Sequence, residues 1–438
     1  MKTYKVKAKI EKFTLPLKPS GNHSVVVPTV KGSWISKYSK HAYYFYNFKN
    51  YEGFCVEISH KDIIKLGLNN LKKVLNKKYP NQSVIKLLLG KYHYGFNSLE
   101  QMAIMTVPHA VTALEDGCFI INLWSYFGYL IVDCKKMTVE YKIADDDYIF
   151  GSQQWLDPEK RELYQMSYSL ADSLKKTENP FYEVSSRITR RRINDENIEE
   201  MWKGNFSDYM HDIIVNNNKQ YCVACELGMF VDDKNNIIPS KVLILDLKNK
   251  KQWIISRFIV AAHAQFDPND QNIVYFSSHN FQFKHSNIFK ALWNASYDID
   301  FRGPASVYKY KLTENGPEEM AVFTEPDLFR LTNVHIFSHR GQKILAAIGS
   351  PNFIFIADAE NMKLIRKFEI QNNAGFFGKR QCRVGTISPS PDGEKLYVQT
   401  NHSFQIIDIA SEKAEFIKDL FFTHMCANHM LTSNDTNW

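Results

Sequence analysis

Short apolar runs, most of them uninterrupted, recur along almost the whole chain. The clearest lie at 43–46, 55–58, 118–123, 129–133, 242–247, 253–258, 273–276, 307–312, 344–348, 353–357, 395–399 and 404–409. Each is rich in Val, Ile, Tyr or Phe and is too short for a stable helix, so each reads as a β-strand. Turn residues separate them, as in Glu115-Asp116-Gly117, Asp267-Pro268-Asn269-Asp270, His339-Arg340-Gly341 and Pro391-Asp392-Gly393. One stretch, 59–90, has the other period. Ile64, Leu68, Leu71 and Leu75 follow helical spacing, and Ser59 with Asp62 forms a candidate capping pair. A second short helix is expected over 84–89. The basic positions Lys65, Lys72, Lys73, Lys77 and Lys78 suit a solvated face, with anion or headgroup binding as the alternative.

The strands fall into a repeat: an inner strand, a turn with Asp, Pro or Gly, a second strand, then a third strand ending in an Asp-containing turn. Residues 387–398 followed by Phe404-Gln405-Ile406-Ile407-Asp408 give one copy. Residues 337–346 followed by Phe353-Ile354-Phe355-Ile356-Ala357-Asp358 give another. This resembles the blade signature of β-propellers, and a period of roughly 40–60 residues suits a blade of four strands. Repeat starts fall near His109, Ser152, His211, His263, His335, Gly385 and His424. The expectation is therefore an all-β, seven-bladed propeller over 1–438, with a helical insertion at 59–105. The last repeat has too little chain after it. Strands from 33–58 are expected to complete it beside 424–434, closing the ring and removing exposed sheet edges.

Composition fits a packed globular chain: 44% hydrophobic, 23% charged and 14% aromatic residues over 438 positions. The net charge of +7 is too mild to indicate nucleic acid, and it suits an anionic substrate better than a cationic one. No apolar run is long enough for a spanning helix, and the Lys-alternating start lacks the apolar core of a secretory signal. Seven cysteines are scattered, and the Cys222-x-x-Cys225 pair lies inside a strand-like run with no second pair nearby. Core thiols in a reducing, cytoplasmic setting are expected.

Four of the repeat starts carry histidine in one local frame: His109, His211, His335 and His424. His263 lies one residue out of that frame. Closing the ring gives these imidazoles a route to a common axis. Neutral imidazoles there could hold a divalent transition metal, Fe or Mn, with open positions for substrate. The alternatives are hydrogen bonds between neighbouring blades, or coincidence. Glu115 and Asp212 are candidate carboxylates to orient such ligands. Arg380 and Arg383 stand near a repeat start and are candidates to pair with an anionic group. The densest charge, Arg187-Ile188-Thr189-Arg190-Arg191-Arg192, is followed by acidic partners at Asp195, Glu196, Glu199 and Glu200.

Two resemblances bear on chemistry. Ala262-His263-Ala264-Gln265-Phe266-Asp267-Pro268-Asn269-Asp270 is similar to the His-x-Gln-Phe-x-Pro-x-Asp stretch of oligogalacturonate lyases, seven-bladed propellers with a manganese site. Thr332-Asn333-Val334-His335-Ile336-Phe337 resembles that family's Thr-His-Glu-Phe-Trp stretch, whose histidine binds the metal. The later Gln-x-x-His-x-His motif is absent, and only His424 and His429 stand near its place. Tyr209-Met210-His211-Asp212-Ile213 and the His263 stretch also resemble two histidine segments of carotenoid cleavage oxygenases, in reverse chain order. These resemblances imply a metal-dependent lyase or oxidoreductase acting on a small, anionic molecule in the central channel. The rival expectation is a non-catalytic propeller that binds another protein.

Overall fold

In the computed structural model the described residues are all but 1, 16–20, 32–39, 82–107, 115, 124–127, 144–146, 158, 176–183, 194, 207–209, 227–229, 232–236, 259–260, 284–298, 302, 329–332, 350–351, 371–383, 401–402, 420–429, 435 and 437. Seven antiparallel sheets of four or five strands follow one another in chain order. Their innermost strands are Pro108–Ala113, Tyr148–Asp157, Met210–Val215, Ala261–Phe266, Val334–His339, Val384–Pro389 and Leu431–Ser433. Each packs beside the next, and the seventh packs beside the first. The ring is a seven-bladed β-propeller, the architecture the repeat predicts.

Blade 7 is assembled from distant parts of the chain. Leu431–Ser433 pairs with Ser24–Lys31 through Val26↔Leu431 and Ser24↔Ser433. Lys40–Asn47 and Glu52–Ser59 follow, and Ala8–Thr14 adds a fifth strand outside them. Lys2–Lys5 adds a fifth strand to the outer edge of blade 1. Residues 2–14 therefore strap the outer edges of the two blades that meet at the closure. Trp438 fills the same seam, its ring edge-on to Phe54 at 5.1 Å and to Phe45 at 6.1 Å.

The third strands end in one repeated turn. Asp133, Asp246, Asp358 and Asp408 each accept a backbone N–H two or three residues on: Lys136, Lys248 and Asn249, Glu360 and Asn361, and Ser411. The residue four places after each carboxylate, Met137, Lys250, Met362 or Glu412, has positive φ between 54° and 59°. The carboxylate holds a backbone shape that these side chains resist. Replacing Asp358 with Ala is expected to cost about 1–2 kcal/mol, since two turn N–H groups lose their acceptor. The shift in urea unfolding midpoint measures it.

Ends of inner strands lock each blade to the next. The Oδ1 of Asp157 and of Asp267 accepts two N–H groups of its own turn. The other oxygen meets a lysine of the next blade, Lys219 at 3.1 Å and Lys343 at 2.9 Å respectively. Between blades 4 and 5, Gln265 both donates to the carbonyl of Ile336 (3.0 Å) and accepts its N–H (2.9 Å), as a backbone partner would.

The helix His60–Lys78 buries Val74 and Leu75 against the core of blades 7 and 1. Ser59 is its N-cap residue but makes no side-chain capping bond, so the expected pairing with Asp62 does not form. Lys65, Lys72, Lys73, Lys77 and Lys78 are exposed, and Lys78 pairs with Asp147. The segment 84–89 lies outside the described residues.

Because the strands of each blade are antiparallel and consecutive, connections between first and second and between third and fourth strands emerge at one end, here the lower face. The others emerge at the upper face, where innermost strands begin. Lower-face connections are short, from 314–315 and 340–341 up to 193–198 and 267–272. The one longer run there, 15–23, leads from the outermost to the second strand of blade 7. The upper face takes 60–107, 170–183, 227–239, 279–305, 370–383 and 420–430. Among the described residues these carry two helices, His60–Lys78 and Leu170–Lys175, and two ribbons. One ribbon pairs Phe230–Val231 with Ile237–Ile238, and the other pairs Phe281–Phe283 with Ile299–Phe301.

Candidate functional site

Four of the five candidate histidines begin innermost strands at the upper face. His109, His211 and His335 are second in their strands, and His263 is third. Register breaks accompany three of them. The pairing of first and second strands shifts between Pro108 and Val111, between Met210 and Asp212, and between Ala261 and Ala264. His109, His211 and His263 fall in these breaks, where a bulge re-aims side chains. The consequence is visible at blade 3. His211 and Asp212 are neighbours in one strand, yet both bond to the innermost strand of blade 4, which a regular pleat would prevent.

His211 is buried and donates its Nδ1–H to the carbonyl of Ala262 at 2.6 Å. Burial lowers its pKa to about 4 against the raising effect of that carbonyl. Its ring stands edge-on to that of His263, with centroids 4.7 Å apart, and His263 lies 6.0 Å from His279. Asp212 accepts the N–H of Ala264 through Oδ2 at 2.9 Å, and the same oxygen is 4.0 Å from Nδ1 of His263. Asp212 is buried, and its Oδ1 has no hydrogen-bond partner among the described residues. Burial raises its pKa to about 7, opposed by the N–H groups of Ala264 and Ile213. His211, Asp212, His263 and His279 thus gather at the seam of blades 3 and 4.

His335 takes a different partner. It bonds the backbone of Ile387 in blade 6, and burial lowers its pKa to about 4 despite that bond. His211 and His335 therefore both tie one blade to the next, the hydrogen-bonding role that the sequence leaves open. The His109 side chain, His424, Arg380, Arg383 and Glu115 lie outside the described residues. Among the described residues, no three His, Cys, Asp or Glu side chains are placed to hold a metal ion.

The basic stretch of blade 2 is largely paired within its own sheet. Arg187 stacks on Tyr148 at 3.5 Å, Arg190 pairs with Glu199 and Glu162, and Arg191 is buried with Nη2 2.5 Å from Oε1 of Gln165. Cys222 and Cys225 are free, buried thiols packed in different core clusters, and burial pushes the Cys222 thiol up to about 12. They are core residues, as their setting in a strand implies. No helix among the described residues is long and apolar enough to cross a membrane.

His279 was not among the histidine candidates read from the sequence. Its place follows from the register: Ser278 pairs with Ala261, so the residue after Ser278 stands beside the start of the neighbouring strand, and that register is not readable from the sequence.

No protein-family model matches the chain. No curated protein matches it either. Nothing in these comparisons supports the lyase or oxygenase resemblance. Among solved structures the chain is similar to a functionally unknown protein from Desulfotomaculum acetoxidans, at 15% identity and a TM-score of 0.40, covering 67% of this chain and 76% of that one. It is also similar to Raptor from Chaetomium thermophilum, at 12% identity and a TM-score of 0.46, covering 72% of this chain and 24% of that one.

Proposed function

We propose that this protein is an interaction propeller whose upper face receives a partner. The observation that carries this reading is the asymmetry of the connections. The lower face consists mainly of tight turns, whereas the connections that leave strands at the upper face are long and, among the described residues, carry two helices and two ribbons. Long connections on a rigid scaffold are where recognition is placed, because the scaffold keeps its stability while the loops vary. The test replaces the ribbon of blade 4, Phe281–Phe283 with Ile299–Phe301 and the chain between, by a two-residue turn. A control variant changes the lower-face turn 314–315. After affinity isolation from native extract, proteins held in fixed ratio by the parent and the control should be absent from the ribbon variant. Retention of the same proteins by a folded ribbon variant refutes the reading.

A second reading is favoured by the gathering of His211, Asp212, His263 and His279 at one seam. In it the protein is a metal-dependent enzyme of lyase or oxygenase type. His109, His335 and His424 add ligands for Fe or Mn, and Arg380 and Arg383 meet a small anionic substrate. Elemental analysis of protein purified without chelator tests it. Stoichiometric Fe or Mn, lost in His263→Ala, supports the enzyme. Metal content unchanged by that substitution counts against it.

A further inference from the structure

The lower face of the closure seam carries a cavity of about 240 Å³ between the outer strands of blade 7 and the turn 134–137 of blade 1. One side of it is aromatic and thioether, formed by Phe54, Met137 and Trp438, with Phe54 and Trp438 edge-to-face at 5.1 Å, and Lys12, Thr14 and Glu52 make its mouth polar. Gly53 contributes to its shape. A Cβ there would come within 2.6 Å of the Phe13 ring and 2.7 Å of the Phe45 carbonyl, so only glycine lets Phe13 lie across the strand. Two opposite charges also line it, Lys12 and Glu52. Both are exposed, and among the described residues neither has an ion-pair partner. The indole Nε1 of Trp438 is buried with no hydrogen-bond partner among those residues.

We propose that this cavity binds a free aromatic amino acid as its zwitterion. The ring lies among Phe54, Met137 and Trp438, the carboxylate meets Lys12 and the ammonium meets Glu52. Three features select that class. The volume falls below the roughly 300–1,000 Å³ of sites for drug-sized ligands, so one ring with a short polar head fills it. Edge-to-face ring contacts and a thioether favour an aromatic body over an aliphatic one. A ligand of one sign would use one of the two lining charges and oppose the other, whereas a zwitterion uses both. The cavity lies at the opposite end of the ring from the proposed recognition face, so either reading can fail without the other.

The test uses the full chain with L-tryptophan, tryptamine and N-acetyl-L-tryptophan, compared by saturation-transfer NMR and equilibrium dialysis. Tryptophan should bind about fivefold more tightly than either analogue, the worth of one solvent-exposed ion pair. Lys12→Ala should remove its advantage over tryptamine, and Glu52→Gln its advantage over the N-acetyl form. Both substitutions are at exposed positions, so the fold is retained. No saturation transfer to tryptophan at millimolar concentration, equal affinity for all three probes, or unchanged preferences in both variants would overturn the proposal.

Discussion

Replacing Lys343 with Met is expected to lower stability by about 3–5 kcal/mol, the cost of removing one partner from a buried ion pair. Asp267 is 0% exposed and stands at the end of the innermost strand of blade 4. Its Oδ1 accepts the N–H groups of Asn269 and Asp270, its Oδ2 accepts the hydroxyl of Tyr275, and Lys343 of the next blade stands 2.9 Å from it, the one cation pairing with it among the described residues. Burial alone would push the Asp267 pKa up, but Lys343 and the two turn N–H groups outweigh it and hold the carboxyl below its ordinary range. Methionine keeps the length and apolar bulk of the lysine stem and removes the charge. The carboxylate then stays buried, and the seam between blades 4 and 5 must open or take up a proton.

The sign of the pH dependence follows. In the parent, the depressed pKa gives stability that is present above the unfolded value of 3.8 and lost as pH falls through the folded one. In Lys343→Met, only the two turn N–H groups still oppose burial, so the carboxyl's pKa rises, and the loss is greatest near neutrality and shrinks as acid protonates Asp267. Urea unfolding at pH 7 and pH 4 separates these cases. Adding Asp267→Asn to the variant should recover most of the loss at pH 7, because a neutral amide needs no cation. An equal deficit at both pH values, with no recovery in the double variant, would show that Lys343 acts through packing rather than charge.

All twelve apolar runs read from the sequence fall on strands, with only Leu247 and Ile409 one residue past a strand end. Most belong to the second and third strands of their blades, which are covered on both faces and are therefore apolar at nearly every position, as in Tyr221–Glu226 or Phe353–Asp358. Innermost and outermost strands were harder to see. Met210–Val215 carries polar residues, His211 and Asp212, near its start because they bond across the seam to blade 4. Gly316–Thr324 and Lys363–Glu369 are largely exposed edges, with charges among their apolar residues. Ala8–Thr14 is masked by its Lys and Glu, and Ser24–Lys31 by Pro28, which sits in register with Tyr43 inside the strand.

For the candidate site, the histidine frame was legible because it recurs at four of the repeat starts. Its bonds were not. The Ala262 carbonyl that receives His211 lies 51 residues away, and Ile387 lies in the blade after His335. Only the ring, which sets neighbouring innermost strands side by side, fixes those partners. Nor does composition announce a bulge, and without it alternation would point His211 and Asp212 to opposite faces.

Replacing Asp212 with Asn is expected to raise stability at pH 8 and leave it nearly unchanged at pH 4. The carboxyl sits beside buried Cys225 in the register of blade 3, and burial holds its pKa at about 7 against an ordinary 3.8. Between those values the folded chain keeps a proton that the unfolded chain has released. Stability contributed by this group is therefore full below about pH 4 and lost as pH rises to about 7. At about 1.4 kcal/mol per pH unit, a displacement of roughly three units sets an upper limit near 4 kcal/mol. Asparagine keeps an oxygen for the Ala264 N–H and brings no charge into the seam. His211 and His335 act in the opposite sense. With pKa values lowered to about 4, they destabilise the fold in acid, and that cost disappears as pH rises to 6.5. In the parent the two trends partly cancel over this range. In Asp212→Asn only the histidine trend remains, so its urea midpoint should climb from pH 4 to 6.5 and then level off, while the parent falls progressively behind it up to pH 8. A difference between the two proteins that does not change with pH would mean that Asp212 is ionised in the folded chain throughout, with its charge met at the blade seam.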